Sequence, residues 1–302
     1  MIFDTSLIQT LLNGLITGSI YFMVSIGLTL QYQLMKFPNL THAELFTIGA
    51  FITYIFADIV GLGYWLSLPI AAVFTGGVAA SIYLAVFKQL IKRGASLSHL
   101  IIAAAGMGIF LRYVMWEAAG RRSYFYSEFF SSYDIGPIRI SVLWIAIVIV
   151  AALTALMLLL LFTRTLFGKA VRGLSSNPLL ARVSGIDADK MTILVWVLSG
   201  VLAGLAGSLR AADTRLTPEL GVEVLIPMFA VTVLGGIGSV SGAFIGAYIL
   251  GLTESFGVVA LSSLGLPTEY KALTAFAILV ITILILPTGL SSIISKERTR
   301  RD

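Results

Sequence analysis

Apolar residues along this chain run in long unbroken blocks. They show neither the strict alternation of a half-buried strand nor the three-and-four spacing of a soluble amphipathic helix. The blocks fall at about 7–30, 42–60, 64–87, 99–119, 141–162, 191–209, 222–238, 240–258 and 271–290. Most are close to the ~20 residues a helix needs to cross a bilayer, and a membrane β-barrel would instead show short alternating segments. The pattern predicts an all-α, polytopic membrane protein of about eight to ten transmembrane helices forming a single domain over residues 1–302. The first block is too long for a signal-peptide core and no basic residue precedes it, so it is expected to stay as a span.

Two connections are short and rich in helix breakers, so two helices are expected to be broken. The first reads Phe37-Pro38-Asn39-Leu40-Thr41-His42-Ala43-Glu44, followed by Ile48-Gly49-Ala50-Phe51. The second reads Leu234-Gly235-Gly236-Ile237-Gly238-Ser239, followed by Ile245-Gly246-Ala247-Tyr248. Proline lacks an amide donor and clustered glycine favours unwinding. Irregular backbone at membrane depth is tolerated where it is buried in protein or lines a wet cavity, and a matched pair of interruptions points to a transport path. The residues expected to line such a path are Asn39, Thr41, His42, Glu44, Gly235, Gly236, Gly238 and Glu254. Glycine used only for close helix packing is the competing reading of the two glycine-rich runs. Arg112 lies well inside the fourth block. It is read as half of a structural ion pair, with Glu117 or Glu254 as partner, and a place facing the path is the alternative. Gly200, Gly204 and Ser208 fall four apart on one helix face, the small-residue pattern for tight packing.

Composition agrees with the block pattern. The chain is 58% hydrophobic and 12% charged, against roughly 45–50% and 25% in soluble domains. With no cysteine there is neither a thiol nucleophile nor a cysteine metal site. His42 as a metal ligand has only His99, at a block edge, for company. The polar inserts, about 28 residues at the longest, are too short for a catalytic domain with its own core. The net charge of +5 follows topology and is no nucleic-acid signal. Lys88, Lys92, Arg93, the five basic residues of 163–190, and Lys296, Arg298, Arg300 and Arg301 all fall on one side of the alternating spans. They outnumber Arg121, Arg122, Arg139, Arg210, Arg215 and Lys271 on the other. The excess assigns the first side to the cytoplasm, with the C-terminus there and the N-terminus outside. The stretch 120–140 is then external. Its tyrosines and phenylalanines read as an interfacial aromatic belt or as a docking lip for an external partner.

The longest polar stretch, about 163–190, carries short apolar patches among its charges. Ser176 or Asn177 can cap a helix, Pro178 suits its first position, and the helix is expected to run from Leu179 to Val183 and to stop at Ser184-Gly185 on a left-handed Gly185. A short capped amphipathic helix suits a groove on a soluble partner, and an ordinary interfacial loop helix is the plainer reading.

The pattern G-K-A-V-R-x-x-x-x-N-P-x-x-A-x-x-x-G-I-D from Gly168 to Asp187 resembles the branched-chain amino acid permeases of ABC importers. So do the W-V-L-S-G-V-L-A-G-L-A-G run that follows, V-L-G-G-I-G-S-V-S-G-A-F-I-G-A from Val233, and N-L-T-H-A-E-L-F-T-I-G-A-F in the N-terminal half. The resemblance covers nearly the whole chain and is closest to the LivH-type member of the permease pair. It implies a non-enzymatic permease in a prokaryotic cytoplasmic (inner) membrane. The implied solutes are branched-chain or other small neutral amino acids, with urea or a short amide as the alternative solute and a stand-alone secondary transporter or channel as the rival class. Glu44 stands where the family usually has a small residue. The implied partners are a second permease subunit in a heterodimer, two cytoplasmic ATPases, an external solute-binding protein and membrane lipid. The chain itself is expected to hold no cofactor: Gly168-Lys169 lacks the upstream glycine and the Ser/Thr of a phosphate-binding loop, so ATP falls to a partner subunit. In this resemblance Arg172, Ser176, Asn177, Pro178, Leu179, Arg182 and Gly185 belong to the coupling helix that the ATPase grips.

Overall fold

The computed structural model describes residues 2–136, 138–267, 271–285 and 289–290. The basic tail 291–302, used above for orientation, lies outside them. The helices are α1 (Ile2–Met35), α2 (His42–Tyr54), α3 (Tyr64–Ile82), α4 (Lys88–Lys92), α5 (Leu97–Ala119), α6 (Val142–Arg164), α7 (Leu166–Ser176), α8 (Pro178–Val183), α9 (Ala188–Asp213), α10 (Leu220–Gly235), α11 (Val240–Ser263) and α12 (Lys271–Ile285). A π-helical turn, Ile55–Ile59, extends α2, and a second, Tyr83–Phe87, joins α3 to α4 without a break. Among the described residues, seven helical segments are long and apolar enough to cross a membrane, and α10 and Ala275–Ile285 are shorter apolar helices. Each expected block coincides with a helix, but several helices outrun their blocks. Hydropathy registers where the apolar face ends, while a helix continues as long as its backbone can bond and pack.

Helices α1, α2, α3 and α9 form the centre. Phe22, Met23, Ile26, Leu28 and Leu30 of α1 are fully buried, an unusual depth for a membrane helix that could face lipid. Small residues let the backbones approach. A Cβ on Gly49 of α2 would lie 2.2 Å from Gly204 Cα of α9, one on Gly200 would lie 2.6 Å from the Ala79 Cβ, and one on Gly207 would lie 1.9 Å from the Phe46 carbonyl oxygen. Buried hydroxyls tie the same contact together. Thr53 Oγ1 and Ser208 Oγ are 2.6 Å apart, Ser208 Oγ donates to the Gly204 carbonyl at 2.7 Å, and the Tyr64 hydroxyl donates to the Ser208 carbonyl at 3.1 Å. The small-residue face of α9 is therefore a packing face, as its spacing indicated. Gly207→Ala is expected to destabilise the bundle by about 1–3 kcal/mol, because the added methyl meets a backbone carbonyl that cannot rotate away. Thermal unfolding of the purified protein checks this, and an unchanged midpoint would remove the close-packing account.

Consecutive spans run in alternating directions, and side-chain and backbone contacts sort the connections into two ends. At one end Lys88 Nζ meets Asp189 at 2.8 Å and Lys36 Nζ donates to Ser175 Oγ at 3.3 Å. At the other end Tyr124 and Leu216 exchange backbone bonds of 2.8 and 2.9 Å, and the Ser127 amide donates to Asp58 Oδ1 at 2.6 Å. The second end also carries an antiparallel hairpin, β1 (Ser132–Ile135) with β2 (Ile138–Ser141), in which Tyr133 faces Ile140. The hairpin was not legible as strand in so short and mixed a segment.

Candidate functional site

At the first break the chain leaves α1 through Lys36, whose φ of +59° is left-handed and strained for a side chain with a Cβ. It then turns back into the bundle. Thr41 Oγ1 donates to the Ala104 carbonyl at 2.9 Å, roughly 10 Å along α5 from Leu97 at about 1.5 Å per residue. His42 Nε2 donates to the Val24 carbonyl at 3.0 Å, roughly 16 Å back from the end of α1. The first break therefore lies deep among helices. Asn39 Nδ2 donates to Gln31 Oε1 at 2.8 Å, and Asn39 Oδ1 accepts from the Thr41 amide at 3.1 Å, so the non-helical turn is held by side-chain amides.

The second break differs. Gly236 and Gly238 take φ of +91° and +86°, and Ser239 caps α11 by accepting from the Gly242 amide at 3.0 Å. A Cβ on Gly238 would meet Gln33, close to the end of α1, and one on Gly242 would lie 1.8 Å from the Gly235 carbonyl oxygen. Gly235 and Gly242 thus close a tight turn between α10 and α11 near the α1 terminus. Each break separates two helices, and the two lie at different depths although their sequences look alike.

Arg112 does form an ion pair, but with neither of the partners expected for it. Its Nη2 lies 2.6 Å and its Nε 3.1 Å from Glu44 Oε1, joining α5 to the first turn of α2. Glu117 is five residues along the same helix, on a different face at about 3.6 residues per turn, and Glu254 is occupied elsewhere, accepting from the Tyr21 hydroxyl at 2.6 Å. The pairing of residues 68 apart in the chain depends on the return of α2 into the bundle, which no local pattern encodes.

Of the eight residues expected to line a path, Glu254 borders a cavity that reaches the buried face of α1. That cavity, of about 380 Å³, is bounded by Ile20, Tyr21, Phe46, Arg210, Arg215, Leu220, Glu223, Val224, Pro227 and Glu254. The other seven surround the breaks and do not border it. A neighbouring space of about 200 Å³ shares Arg210 and Glu254 and adds Thr10, Asn13 and Thr17 from one face of α1. Another, of about 210 Å³, shares Arg215 and Glu223 and adds Arg121 and Arg122. Arg210 and Arg215 were read only as basic residues of the outer side, and Glu223 was not singled out; what brings the three to one cavity is the packing of α9 and α10 against α1 and α11.

The opposite end carries the polar handle. Helix α7 was missed, although Leu166, Phe167, Ala170, Val171 and Leu174 recur at helical spacing; Thr165 caps it by accepting from the Gly168 amide at 3.3 Å. Gly168 is required there, since a Cβ would lie 2.4 Å from the Phe162 carbonyl oxygen. Arg172 donates to that same carbonyl and so fastens α7 to the end of α6. Ser176 ends α7, and Asn177 is the cap of α8, accepting from the Leu180 amide at 3.0 Å ahead of Pro178 at the first position. Gly185, at φ +86°, stops α8, with the Ile186 amide returning to the Ala181 carbonyl. Leu179, Leu180 and Val183 are 77%, 63% and 86% exposed, and Arg182 stands beside them. Asp187 caps α9; the amide of Lys190 and its ammonium hold the Asp187 carboxyl below the ordinary aspartate range, so this anchor stays charged.

Membrane-length helices, a cavity bordered by charged and apolar side chains toward one end and a capped helix pair at the other define the chain as a multi-pass transport permease. Residues 10–283 match the family model of the branched-chain amino acid transport system permease component, and the chain belongs to that family. It is 31% identical over 300 residues to the probable branched-chain amino acid transport permease protein LivH of Methanocaldococcus jannaschii, covering 95% of this chain and 93% of that one. It is 33% identical over 298 residues to the high-affinity branched-chain amino acid transport system permease protein LivH of Escherichia coli K12, covering 94% of each. To BraD of Pseudomonas aeruginosa, of the same description, it is 28% identical over 298 residues. The fold resembles a chain in the structure of PsaBC from Streptococcus pneumoniae in complex with Fab, with a TM-score of 0.52 and 18% identity over 95% of this chain and 97% of that chain. The relatives are ABC transport permeases and not enzymes.

Proposed function

We propose that this permease carries branched-chain amino acids inward, in a complex with a second, different permease subunit, two cytoplasmic ATPases and an external solute-binding protein. The handle end then faces the cytoplasm and the hairpin end the outside, with ATP held by the ATPases alone. The single observation that carries the reading is α8: a six-residue helix stopped at both ends by Asn177–Pro178 and Gly185, presenting Leu179, Leu180, Val183 and Arg182 outward. So many exposed apolar side chains beside charge suit a groove on a partner. The family and the relatives' names support the ATPase as that partner and a branched-chain amino acid as the solute.

In this reading the ATPase grips α8, α7 transmits the movement to α6 through Arg172, and Lys36–Ser175 transmits it to the first break. Asn39, Thr41, His42 and Glu44 form the inner part of the path, with Gly235, Gly236 and Gly238 as the second hinge. Three buried polar atoms there, Gln31 Nε2, His42 Nδ1 and Glu44 Oε2, have no hydrogen-bond partner among the described residues, which supports a polar use for this turn. Glu254 belongs to the outer part. Reconstitution of the whole complex in proteoliposomes tests the reading. Leucine is expected to accumulate on ATP addition only when ATPase and binding protein are both present; accumulation by the permease subunits alone would make this a secondary transporter.

A further inference from the structure

The cavity of about 380 Å³ falls within the size range of small-molecule sites, roughly 300–1,000 Å³. Apolar side chains from three helices, among them Ile20, Phe46 and Val224, form one part of its wall. Its charges are of both signs, and they differ in how they are engaged. Arg210 is turned toward Asp213, 3.4 Å away, and Glu254 takes the Tyr21 hydroxyl. Arg215 and Glu223 are otherwise. Both border this cavity and the adjoining one, yet among the described residues neither has an opposite charge within 4.0 Å or a side-chain hydrogen bond.

The backbone beside each is held in place. Leu216, next to Arg215, is pinned to Tyr124 by bonds of 2.8 and 2.9 Å, and the Gly221 amide, two residues before Glu223, donates to Thr47 Oγ1 at 2.8 Å. A cation and an anion thus border one cavity without an ion pair between them. A neutral solute such as an amide would leave both unanswered. A molecule bearing a carboxylate and an ammonium on one carbon, with an apolar side chain, answers both and fills the apolar wall.

We propose that this cavity is the permease's own recognition site for an α-amino acid, with Arg215 meeting the carboxylate and Glu223 the ammonium. The proposal rests on the importer reading above and deepens it, since selectivity would then not reside in the external binding protein alone.

The test is equilibrium binding to the purified full complex without binding protein. The ligands are leucine, leucinamide (no carboxylate) and 4-methyl-2-oxopentanoate (no ammonium). Wild type is expected to bind leucine about ten-fold or more tighter than either analogue, the effect of one lost charged hydrogen bond. Arg215→Gln should weaken leucine by about the same factor while leaving leucinamide unchanged, and Arg215→Lys should recover part of the loss. Glu223→Gln should weaken leucine and leave the keto acid unchanged. Both side chains are exposed, so the unfolding midpoints should match wild type. If Arg215→Gln and Glu223→Gln bind and transport leucine as wild type does, the site is overturned and the importer reading stands. A wild-type complex that transports no amino acid overturns the importer reading itself.

Discussion

Replacing Arg112 by Met is expected to destabilise the permease by about 3 kcal/mol, the lower end of the range for breaking a buried ion pair from one side. The reason is asymmetric burial. Glu44 is 1% exposed while Arg112 is 25% exposed, so the loss falls on the carboxylate. Its Oε1 takes both guanidinium bonds, and its Oε2 has no partner among the described residues. Left without Arg112, the charge has no compensation inside the bundle. Removing both charges in Glu44→Gln with Arg112→Met should restore most of the stability, because replacing a buried pair by well-fitting neutral groups is often near neutral. Thermal unfolding of the two single variants and the double variant checks this as a cycle. Additive losses would mean that the two side chains do not depend on each other.

The second large effect is expected at the handle. Changing Asn177 and Pro178 together to Gly removes the side chain that accepts the Leu180 amide and the residue that pre-sets the first helical turn. Loss of such a cap costs about 1 kcal/mol, and isolated helices shorter than ~12 residues are marginal to begin with. Helix α8 should therefore melt while the bundle, which does not rest on it, stays inserted. A loop without rigidity absorbs movement instead of passing it on. ATP-driven uptake should fall at least about ten-fold, to near background, with the amount of protein in the membrane unchanged.

Much of this architecture was legible in the sequence because membrane helices declare themselves by length. The caps of α8 were legible too, since Asn-Pro at the start and Gly at the end each have one strong local meaning. The matched look of the two breaks was misleading about depth. Proline and glycine tell where a helix stops, and only the packing of Thr41 on Ala104 and His42 on Val24 tells how far inside. Helix α7 carries a local signal of its own, a Thr165 cap and apolar residues at helical spacing, but the need for Gly168 appears only against Phe162. The Glu44–Arg112 pair and the union of Arg215, Glu223 and Glu254 around one cavity escaped for the same reason. Each joins residues from separate helices, and the charge count that orients the chain treats such residues as bulk.

The coupling proposed for α8 is the conversion of ATP hydrolysis by a partner into movement of solute through this chain. The most direct measurement is leucine accumulated against ATP hydrolysed, in proteoliposomes holding the complete complex, for wild type and for the Asn177→Gly, Pro178→Gly variant. The variant complex is expected still to assemble and hydrolyse ATP while leucine uptake stays at background. Uptake by the variant at the wild-type rate would contradict the coupling.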